Sequence, residues 1–579
     1  MKHFVKLFVF ALVLALLVMP PVAAQEDDVP PGEGGIIVTG NFGGDPNNIN
    51  SLLGNSTVEL LINWFIFPYI TAVNPEDQVP TPGVDNDQGY GLATGWEFSD
   101  DGLTLTLTMR EDAVWSDGTP ITAADYKYTF DALASGETSS PRTSILDTVD
   151  SVDMVDDYTL QFNLSVASCR VLSEIDDIGV LPKHLFEELT GGDFAAINEL
   201  EYNLNPTVTS GVFNFGAFNP GEQISLVTND QYIKAVLPTG FIIRNVPDQT
   251  VEVEQFLAGE INVLRSAPPE RFDELRERAA NGEFQFTDWV DDGLTFMGFN
   301  LADPTNPQDG LDEEGNPIDQ GNHPLFGDVR VRQAIAHGIN LDDIINGAAF
   351  GEGVPVAAYG SPALWGYDNS LEPFAFDPER ALELLAEAGF VDADDNPSTP
   401  LVATEDALYA EPGTEFRFTL RTNAGNLARE SSGTIIQDQL GQLGIQVDFE
   451  AIDFGALVEE LLGQEYDAII IGFTNLDQDA DGRGTYTPSS DTVGGGFNFV
   501  SYNNPEVTRL YQEAVSVPGC DADDRAALTF QAQAILAEEL PWLPLYSPLA
   551  MRAARNEVQN WSPFPENEFW NMSSLVLSQ

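Results

Sequence analysis

One stretch of the chain, residues 94–130, has the most constrained local pattern: TGWEFSDDGLTLTLTMREDAVWSDGTPITAADYKYTF. Apolar residues at positions 103, 105, 107 and 109 alternate with threonines, which is the period-two pattern of a half-buried strand. The turn from Ser99 to Gly102 joins this strand to an earlier one that contains Trp96. Thr122, followed by Asp125, forms a capping-box pattern that starts a helix. The stretch therefore predicts a β-hairpin, a second turn and a capped helix.

The length of the chain excludes a single hydrophobic core, because 579 residues call for two or three lobes. The chain is also strongly acidic: 24 Lys and Arg against 92 Asp and Glu give a formal net charge of −68. Nucleic acid would repel such a chain, so we predict no nucleic-acid partner. Because the acids are spread along the whole sequence, they favour a solubilising surface over a dedicated site for a cationic substrate.

The N-terminal residues have the pattern of a secretory signal peptide. Lys2 and Lys6 precede an apolar run over residues 7–18, and Ala23 and Ala24 offer a small-residue cleavage site. The apolar run is short for a membrane span, and a retained anchor is the alternative. No cysteine follows the cleavage site, which disfavours a lipid anchor. We therefore expect export with cleavage near Ala24 and a periplasmic or extracellular mature protein.

The sequence contains two cysteines, Cys169 and Cys520, so only one internal pairing exists. In an exported protein this favours a disulfide between them. Two free buried thiols are the alternative.

Three ordered motifs resemble the family 5 extracellular solute-binding proteins, which are the peptide-type receptors of ABC importers. The first lies within residues 94–130 and consists of Trp-Glu-x-Ser-Asp-Asp-Gly-x-Thr followed by Trp-Ser-Asp-Gly-Thr-Pro. The others are Asp-Val-Arg-Val-Arg-Gln-Ala at residues 328–334 and Pro-Trp-Leu-Pro-Leu-Tyr at residues 541–546. Looser matches extend the resemblance from about residue 36 to about residue 558.

This resemblance implies an α/β fold of the bilobed periplasmic-binding-protein type, with an extra domain and two lobes around a ligand cleft. It also implies a discontinuous first lobe. The implied division is a signal peptide (1–24), a leader (25–35), lobe I (36–74), extra domain II (75–178), lobe I again (179–298), lobe III (299–548) and the last part of lobe I (549–579).

The same resemblance implies a monomeric receptor that captures a small solute and delivers it to ABC permease subunits. Peptide is the first expectation for the solute, with an oligosaccharide or another organic solute second. We expect neither a cofactor nor catalysis. Two alternatives stay open, namely a secreted hydrolase and a sensor that presents its ligand to a receptor.

No catalytic or metal-binding pattern stands out in the sequence. His184, His323 and His337 lie on separate predicted elements without the spacing of metal ligands. Neither a Gly-x-Ser-x-Gly motif nor a Walker loop is present, and no pair among the many acids is singled out as in a glycosidase. The loop 303–322 is rich in Asp and Asn but lacks the residue spacing of a calcium loop, so we predict a solvated insertion and no metal site.

The run from Gly472 to Asp479 follows a predicted buried strand and can be compared with the family residue by residue. The resemblance implies Gly-Trp-x-x-Asp here in peptide-binding members, with the aspartate holding the amino terminus of the peptide. In this chain Phe473 takes the place of the tryptophan, Leu476 that of the aspartate, and Asp477 is displaced by one residue. A one-residue shift at a strand end turns a side chain toward the opposite face of the sheet. Either the loop bulges to recover Asp477, or these acids belong to a solvated loop.

We predict a ligand site to which both lobes contribute, because a solute favours the closed form only through its additional contacts in that form. Phe473 would supply an apolar wall, Asn475 a donor and an acceptor, and Asp477 a partner for an amine or hydroxyl group. The other predicted ligand-binding residues are Tyr359 and Trp365, from an aromatic loop of the second lobe, and Asn48 and Tyr69 from the first lobe.

Overall fold

The computed structural model describes residues 29–578, except for 42–43, 75–78, 84–90, 247, 395, 397–398, 475 and 566–567. The predicted signal peptide and the predicted ligand-binding residue Asn475 therefore lie outside the described residues. Within the described ranges, none of the helices combines the length and apolar character needed to cross a bilayer.

The α-helices are short, and side chains at many of their N-termini cap the first turn. In chain order they are α1 (Thr57–Ile66), α2 (Ala123–Ala134), α3 (Val171–Asp176), α4 (Lys183–Thr190), α5 (Gln249–Ala258), α6 (Phe272–Ala280), α7 (Val329–Gly338), α8 (Leu341–Ala348), α9 (Pro378–Glu387), α10 (Leu427–Gly441), α11 (Phe454–Gly463), α12 (Arg483–Tyr486), α13 (Pro505–Ala514) and α14 (Ala522–Glu539).

The β-strands, in chain order, are β1 (Ile36–Asn41), β2 (Ala72–Val73), β3 (Pro80–Thr81), β4 (Ala93–Phe98), β5 (Thr104–Met109), β6 (Val149–Asp156), β7 (Thr159–Leu164), β8 (Phe213–Asn219), β9 (Gln223–Thr228), β10 (Gly240–Asn245), β11 (Val263–Leu264), β12 (Phe284–Val290), β13 (Leu294–Phe299), β14 (Gly353–Val354), β15 (Phe390–Val391), β16 (Val402–Ala403), β17 (Arg417–Asn423), β18 (Gln446–Ile452), β19 (Ala468–Phe473), β20 (Trp542–Arg555), β21 (Val558–Gln559) and β22 (Val576–Leu577).

The largest sheet extends through both halves of the protein. Its strand order is β18-β17-β19-β13-β20-β11-β1-β10-β9-β8, with β12 and β14 also paired to β20. The half that contains β1, β8–β12 and the end of β20 is called the first body here, and the half that contains β13 and β17–β19 is called the second body. In the first body, β1 pairs in parallel with β10 and β11, and β11 pairs with the end of β20. The beginning, middle and end of the chain therefore meet in one sheet.

A smaller sheet of order β4-β5-β7-β6 contains the hairpin that the sequence predicts. In it, β4 and β5 are antiparallel, with Trp96 opposite Leu107. Thr122 caps α2, and its backbone NH donates to the Asp125 carboxylate at 2.8 Å. Because Leu107, Trp115 and residues of α2 are buried in the same core as α1 and β10, this unit packs onto the first body. The predicted hairpin and capped helix are confirmed.

Alternating residues at 416–422 and 445–450, with a helix from Ser432 to Leu443 between them, predict a β-α-β arrangement. The second body has this arrangement, and helices pack on both faces of its sheet. β17 runs parallel to both β18 and β19, and α10 connects β17 to β18. Alternate residues of β19 point to opposite faces, so Ile470 packs with α7 and α10 while Ile469 packs with α13 and α14. Helix α10 begins at Leu427, earlier than the predicted start at Ser432, because the Asn426 side chain accepts from the backbone NH of Arg429 at 3.1 Å.

Candidate ligand-binding cleft

The main chain crosses between the two bodies at two adjacent places. The first crossing, residues 291–293, lies between β12 of the first body and β13 of the second. The second lies within β20, whose first part pairs with β13 and whose last part pairs with β12. The backbone NH of Asp291 donates to the Pro548 carbonyl at 2.8 Å and ties the crossings together. We propose that these crossings are the hinge between the lobes and mark the boundaries between them.

The carboxyl end of β19 lies beside this hinge. Phe473, its last residue, is paired with Leu294, the first residue of β13 after the first crossing. In open α/β sheets, ligands bind outside the carboxyl ends of the strands. The end of β19 and the loop that follows it are therefore the natural place for a ligand on the second body.

Phe473 belongs to a cluster of aromatic rings that extends from the core to the surface. Its ring lies 5.5 Å from Trp542 and 5.6 Å from Phe296, both buried, and 5.9 Å from Phe497. Phe497 is 58% exposed. Half-buried Phe473 and exposed Phe497 together present an apolar wall at the end of the strand.

Asp477 forms an ion pair between the two bodies. The Arg170 guanidinium, from the first body, lies 2.8 Å from Oδ2 of Asp477 and 2.7 Å from Oδ2 of Asp481. The Asp477 side chain is still 49% exposed. Among the described residues, nothing donates a hydrogen bond to its Oδ1. Burial raises the pKa of Asp477 to about 6, although Arg170 opposes this rise.

The other acids of this loop have arginine partners and little exposure. Asp479 is 8% exposed and pairs with Arg525 at the start of α14. Asp481 is 8% exposed and pairs with both Arg170 and Arg483. Of these three acids, Asp477 is the one whose carboxylate is substantially exposed and so accessible to a ligand.

The two predicted aromatic residues of the second body lie in different surroundings. Tyr359 is 7% exposed, and its ring lies 5.4 Å from Tyr486 and 5.8 Å from Trp542, so the structure places it in the core and not on a cleft wall. Trp365 is half-buried, with the Arg525 guanidinium 5.2 Å from its ring. It also borders a cavity of about 420 Å³ between the two bodies, which Val79, Ala522, Asp523, Ala526, Ala527 and Phe530 complete.

The contacts of the two residues predicted from the first lobe lie within the first body. The Asn48 side-chain oxygen accepts from the backbone NH of Asn50 at 2.9 Å, so part of its hydrogen-bonding capacity serves a turn. Tyr69 is half-buried, and burial raises the pKa of its hydroxyl above the usual value. The same hydroxyl is close enough to Arg142 and Asp176 for their charges to act on it. The structure does not show either side chain bonded to the loop 472–479 within the described residues.

A covalent bond also connects the two bodies. Cys169, next to Arg170, is bonded to Cys520 in the turn between α13 and α14, at a Cα–Cα distance of 5.3 Å. The backbone NH of Cys169 donates to the Val515 carbonyl at 2.6 Å. The disulfide and the Arg170 ion pairs thus lie side by side and form a connection outside the central sheet.

Comparison with known proteins identifies the family. The model of the bacterial extracellular solute-binding proteins, family 5 Middle, matches residues 89–494. The chain belongs to the family 5 bacterial extracellular solute-binding proteins. The oligopeptide-binding protein AppA of Bacillus subtilis is 25% identical over 567 residues, which cover 96% of this chain and 94% of AppA.

Solved structures show the same bilobed fold as this family 5 chain. AppA from Bacillus subtilis in complex with a nonapeptide has a TM-score of 0.70 at 24% identity, covering 95% of this chain and 100% of AppA. NikA from Brucella suis in complex with Fe(III)-EDTA has a TM-score of 0.74 at 19% identity, covering 94% of this chain and 100% of NikA. These likenesses confirm the predicted fold class, and they also show that one fold serves chemically different ligands.

Sequence reasoning missed Arg170 and Phe497 as residues of this family 5 cleft. Arg170 is separated from Asp477 by more than half the chain, and no local pattern links the two residues. Phe497 follows the glycine-rich stretch 494–496, which indicates a loop but not its place. Acidic residues outnumber basic ones almost four to one. The few arginines were therefore a usable signal for residues that pair with acids of the cleft loop.

Proposed function

We propose that this family 5 solute-binding protein captures peptides between its two bodies and delivers them to the permease of an ABC importer. The observation that carries the proposal is the alignment with the oligopeptide-binding protein AppA over nearly the full length of both chains. The cleft offers the chemistry that a peptide needs. Phe473 and Phe497 present apolar surface to side chains, and Asp477 presents a free carboxylate oxygen to an ammonium group.

The mechanism is a change in the balance between open and closed forms of the two bodies. A peptide can shift this balance only by its difference in affinity for the two forms. Contacts from the loop 472–479 and from the first body exist together only when the cleft is closed. The ion pair between Arg170 and Asp477 joins the two sides at this loop, so opening of the cleft has to separate or rearrange it.

The proposal is tested by retention of peptides without chemical change. The exported protein, incubated with a tryptic digest of casein, should retain a subset of peptides on a desalting column. Mass spectrometry should recover these peptides with unchanged masses, because this family consists of solute-binding proteins. Retention of no peptide would overturn the proposed substrate, and shortened peptides at catalytic protein concentration would indicate the hydrolase alternative.

We also expect export of the protein, and this expectation depends on N-terminal residues that precede the first residue the structure describes. The basic residues Lys2 and Lys6 and the apolar run 7–18 predict cleavage after Ala24. Intact-mass measurement of the protein recovered outside the cytoplasm should therefore give a chain that begins at Gln25. A mass that includes Met1 would contradict cleavage and favour a retained anchor.

A further inference from the structure

Arg525, near the start of α14, contacts three other segments of the second body. Its guanidinium pairs with the Asp479 carboxylate and lies 5.2 Å from the Trp365 ring. Its Nε donates to the carbonyl of Ala514, the last residue of α13, at 3.2 Å. The Arg525 and Asp479 side chains are each only 11% exposed, so each charge depends on the other for its partner.

The partner of Arg525 lies in a tight turn that begins at Asp477. The backbone NH of Ala480 donates to the Asp477 carbonyl at 2.8 Å, and Ala480 has a φ of 50°. This left-handed conformation is strained for a residue with a Cβ, and such strain persists only where surrounding contacts hold it. Asp479 directly precedes Ala480, so its pairing with Arg525 is one of the contacts that hold the turn.

The backbone of the turn also packs against the loop that carries Trp365. The Gly366 NH donates to the Gln478 carbonyl at 2.9 Å, and a Cβ built on Gly366 would stand 2.1 Å from the Asp479 carbonyl oxygen. Only a glycine allows such a close approach. Because Trp365 lies against the Arg525 guanidinium, the same arginine contacts both the turn and the loop that supports it.

Asp477 and Asp479 are two residues apart but differ in exposure and in role. The Asp477 side chain is 49% exposed, whereas that of Asp479 is an anchor of the turn. The negative charge of Asp479 also acts on Asp477: burial is the main cause that raises the pKa of Asp477, Arg170 opposes it, and Asp479 adds to the rise. Arg525 compensates that charge, so it influences Asp477 through Asp479.

We propose that Arg525 is a positioning residue for ligand binding, which orients the Asp477 carboxylate through Asp479 and so sets the preference for ligands with a free ammonium group. This inference rests on the proposed peptide function. Without the guanidinium, Asp479 would be a buried carboxylate without its partner, and the turn would rearrange to bring it to solvent. A turn anchored in this way lets an acid that comes one residue later than expected serve the cleft, which a regular strand end would not.

The experiment measures the preference for a free amino terminus in six proteins. One peptide retained from the casein digest is synthesised with a free amino terminus and in N-acetylated form, and both are titrated by calorimetry. The proteins are wild type, Arg525→Gln, Arg525→Lys, Asp479→Asn, the double variant Arg525→Gln/Asp479→Asn and Arg509→Gln. Arg509→Gln is the matched control, because it removes a partly exposed, acid-paired arginine of the neighbouring helix α13.

Wild type and Arg509→Gln should bind the free amine about 10- to 100-fold more tightly than the acetylated form, the range for hydrogen bonds to a charged group. Arg525→Gln and Asp479→Asn should each lower this preference about 10-fold, because a displaced binding group loses its alignment. The affinity for the acetylated form should change far less, which also shows that the variants are folded.

The double variant should lose no more of the preference than either single variant, because both changes remove the same ion pair. Arg525→Lys keeps the charge without the planar fork and should keep part of the preference. If Arg525→Gln fails to fold, the isosteric change Asp479→Asn decides.

An unchanged preference in the Arg525 and Asp479 variants would overturn the assignment while leaving peptide binding intact. An equal loss of affinity for both forms of the peptide would also overturn it, because a purely structural role weakens both alike. Equal affinity of wild type for the two forms would exclude the ammonium contact at Asp477 and with it the role of Arg525. If the digest yields no retained peptide, the proposed function itself fails, and this inference fails with it.

Discussion

Replacing both cysteines with serine should loosen the connection between the two bodies and lower the free energy of unfolding by about 5 kcal/mol, as expected for a very long closed loop. The two cysteines are 351 residues apart in the sequence. Without the cross-link, the unfolded chain gains conformational freedom and the folded chain loses its covalent contact outside the sheet. Denaturant titration of Cys169→Ser/Cys520→Ser measures the loss in stability.

The larger consequence concerns motion. With the disulfide intact, the bodies are held at the hinge and at Cys169–Cys520, so their relative motion is limited to rotation about the line that joins these two connections. Without it, the described contacts that still join the bodies include the hinge, the Arg170 ion pairs, the ion pair between Arg276 and Glu352 and the backbone hydrogen bond from residue 169 to Val515. We therefore expect a larger radius of gyration for the unliganded double variant in X-ray scattering, and a larger decrease in that radius when a saturating peptide closes the cleft.

The wild-type protein with and without reductant is the control, because reduction should reproduce the effect of the variant. Equal dimensions of oxidised and reduced protein would show that the disulfide does not limit opening. Thiol titration of the unfolded, unreduced wild type should find no free thiol. Two free thiols there would contradict the bond itself.

The parts of the fold that sequence predicted depend on local rules. The hairpin of β4 and β5 follows from alternation and turn chemistry, and the start of α2 follows from the capping box of Thr122 and Asp125. Each of these signals is contained within a few residues. The order of strands in the large sheet has no such local signal and was not predicted, and only the bilobed fold class came from resemblance to a known family.

The missed residues show where local reasoning ends. Helix α10 was expected to begin at Ser432, because apolar periodicity is clear only after that point. The structure starts it at Leu427, whose side chain is 75% exposed and therefore does not follow the pattern of a buried face. Its N-cap residue, Asn426, lies in a sequence rich in turn-forming residues, which is equally typical of a loop.

Tyr359 was expected on the cleft wall and lies in the core for a related reason. An aromatic side chain in a loop can lie in the core or on the wall of a cleft, and only the packing of the folded protein distinguishes the two positions. The loop 355–367 folds back on the second body, where Gly366 donates to the Gln478 carbonyl at 2.9 Å, and Tyr359 is carried into the cluster with Tyr486 and Trp542.

Changing Asp477 to Asn should weaken the binding of a peptide with a free amino terminus by about 1.5–3 kcal/mol, the range for hydrogen bonds to charged groups. Oδ2 of Asp477 is paired with Arg170, but no described residue donates to Oδ1 and half of the side chain is exposed, so an ammonium can bind without displacing the arginine. Asn keeps the shape and loses the charge. Calorimetry with one peptide, as the free amine and N-acetylated, measures the effect, which the acetylated form should not show.

Asp448→Asn is the matched control, because Asp448 is a partly exposed, arginine-paired acid on β18 of the same lobe, and its change should leave both affinities unchanged. Phe473→Ala tests the other half of the site. For a peptide, this change should cost less than Asp477→Asn and should affect free and acetylated forms equally, since it removes only apolar contact. A larger loss of affinity in Phe473→Ala than in Asp477→Asn would indicate a neutral ligand, such as a sugar stacked on the ring. Unchanged affinity in both variants would remove the loop 472–479 from the site.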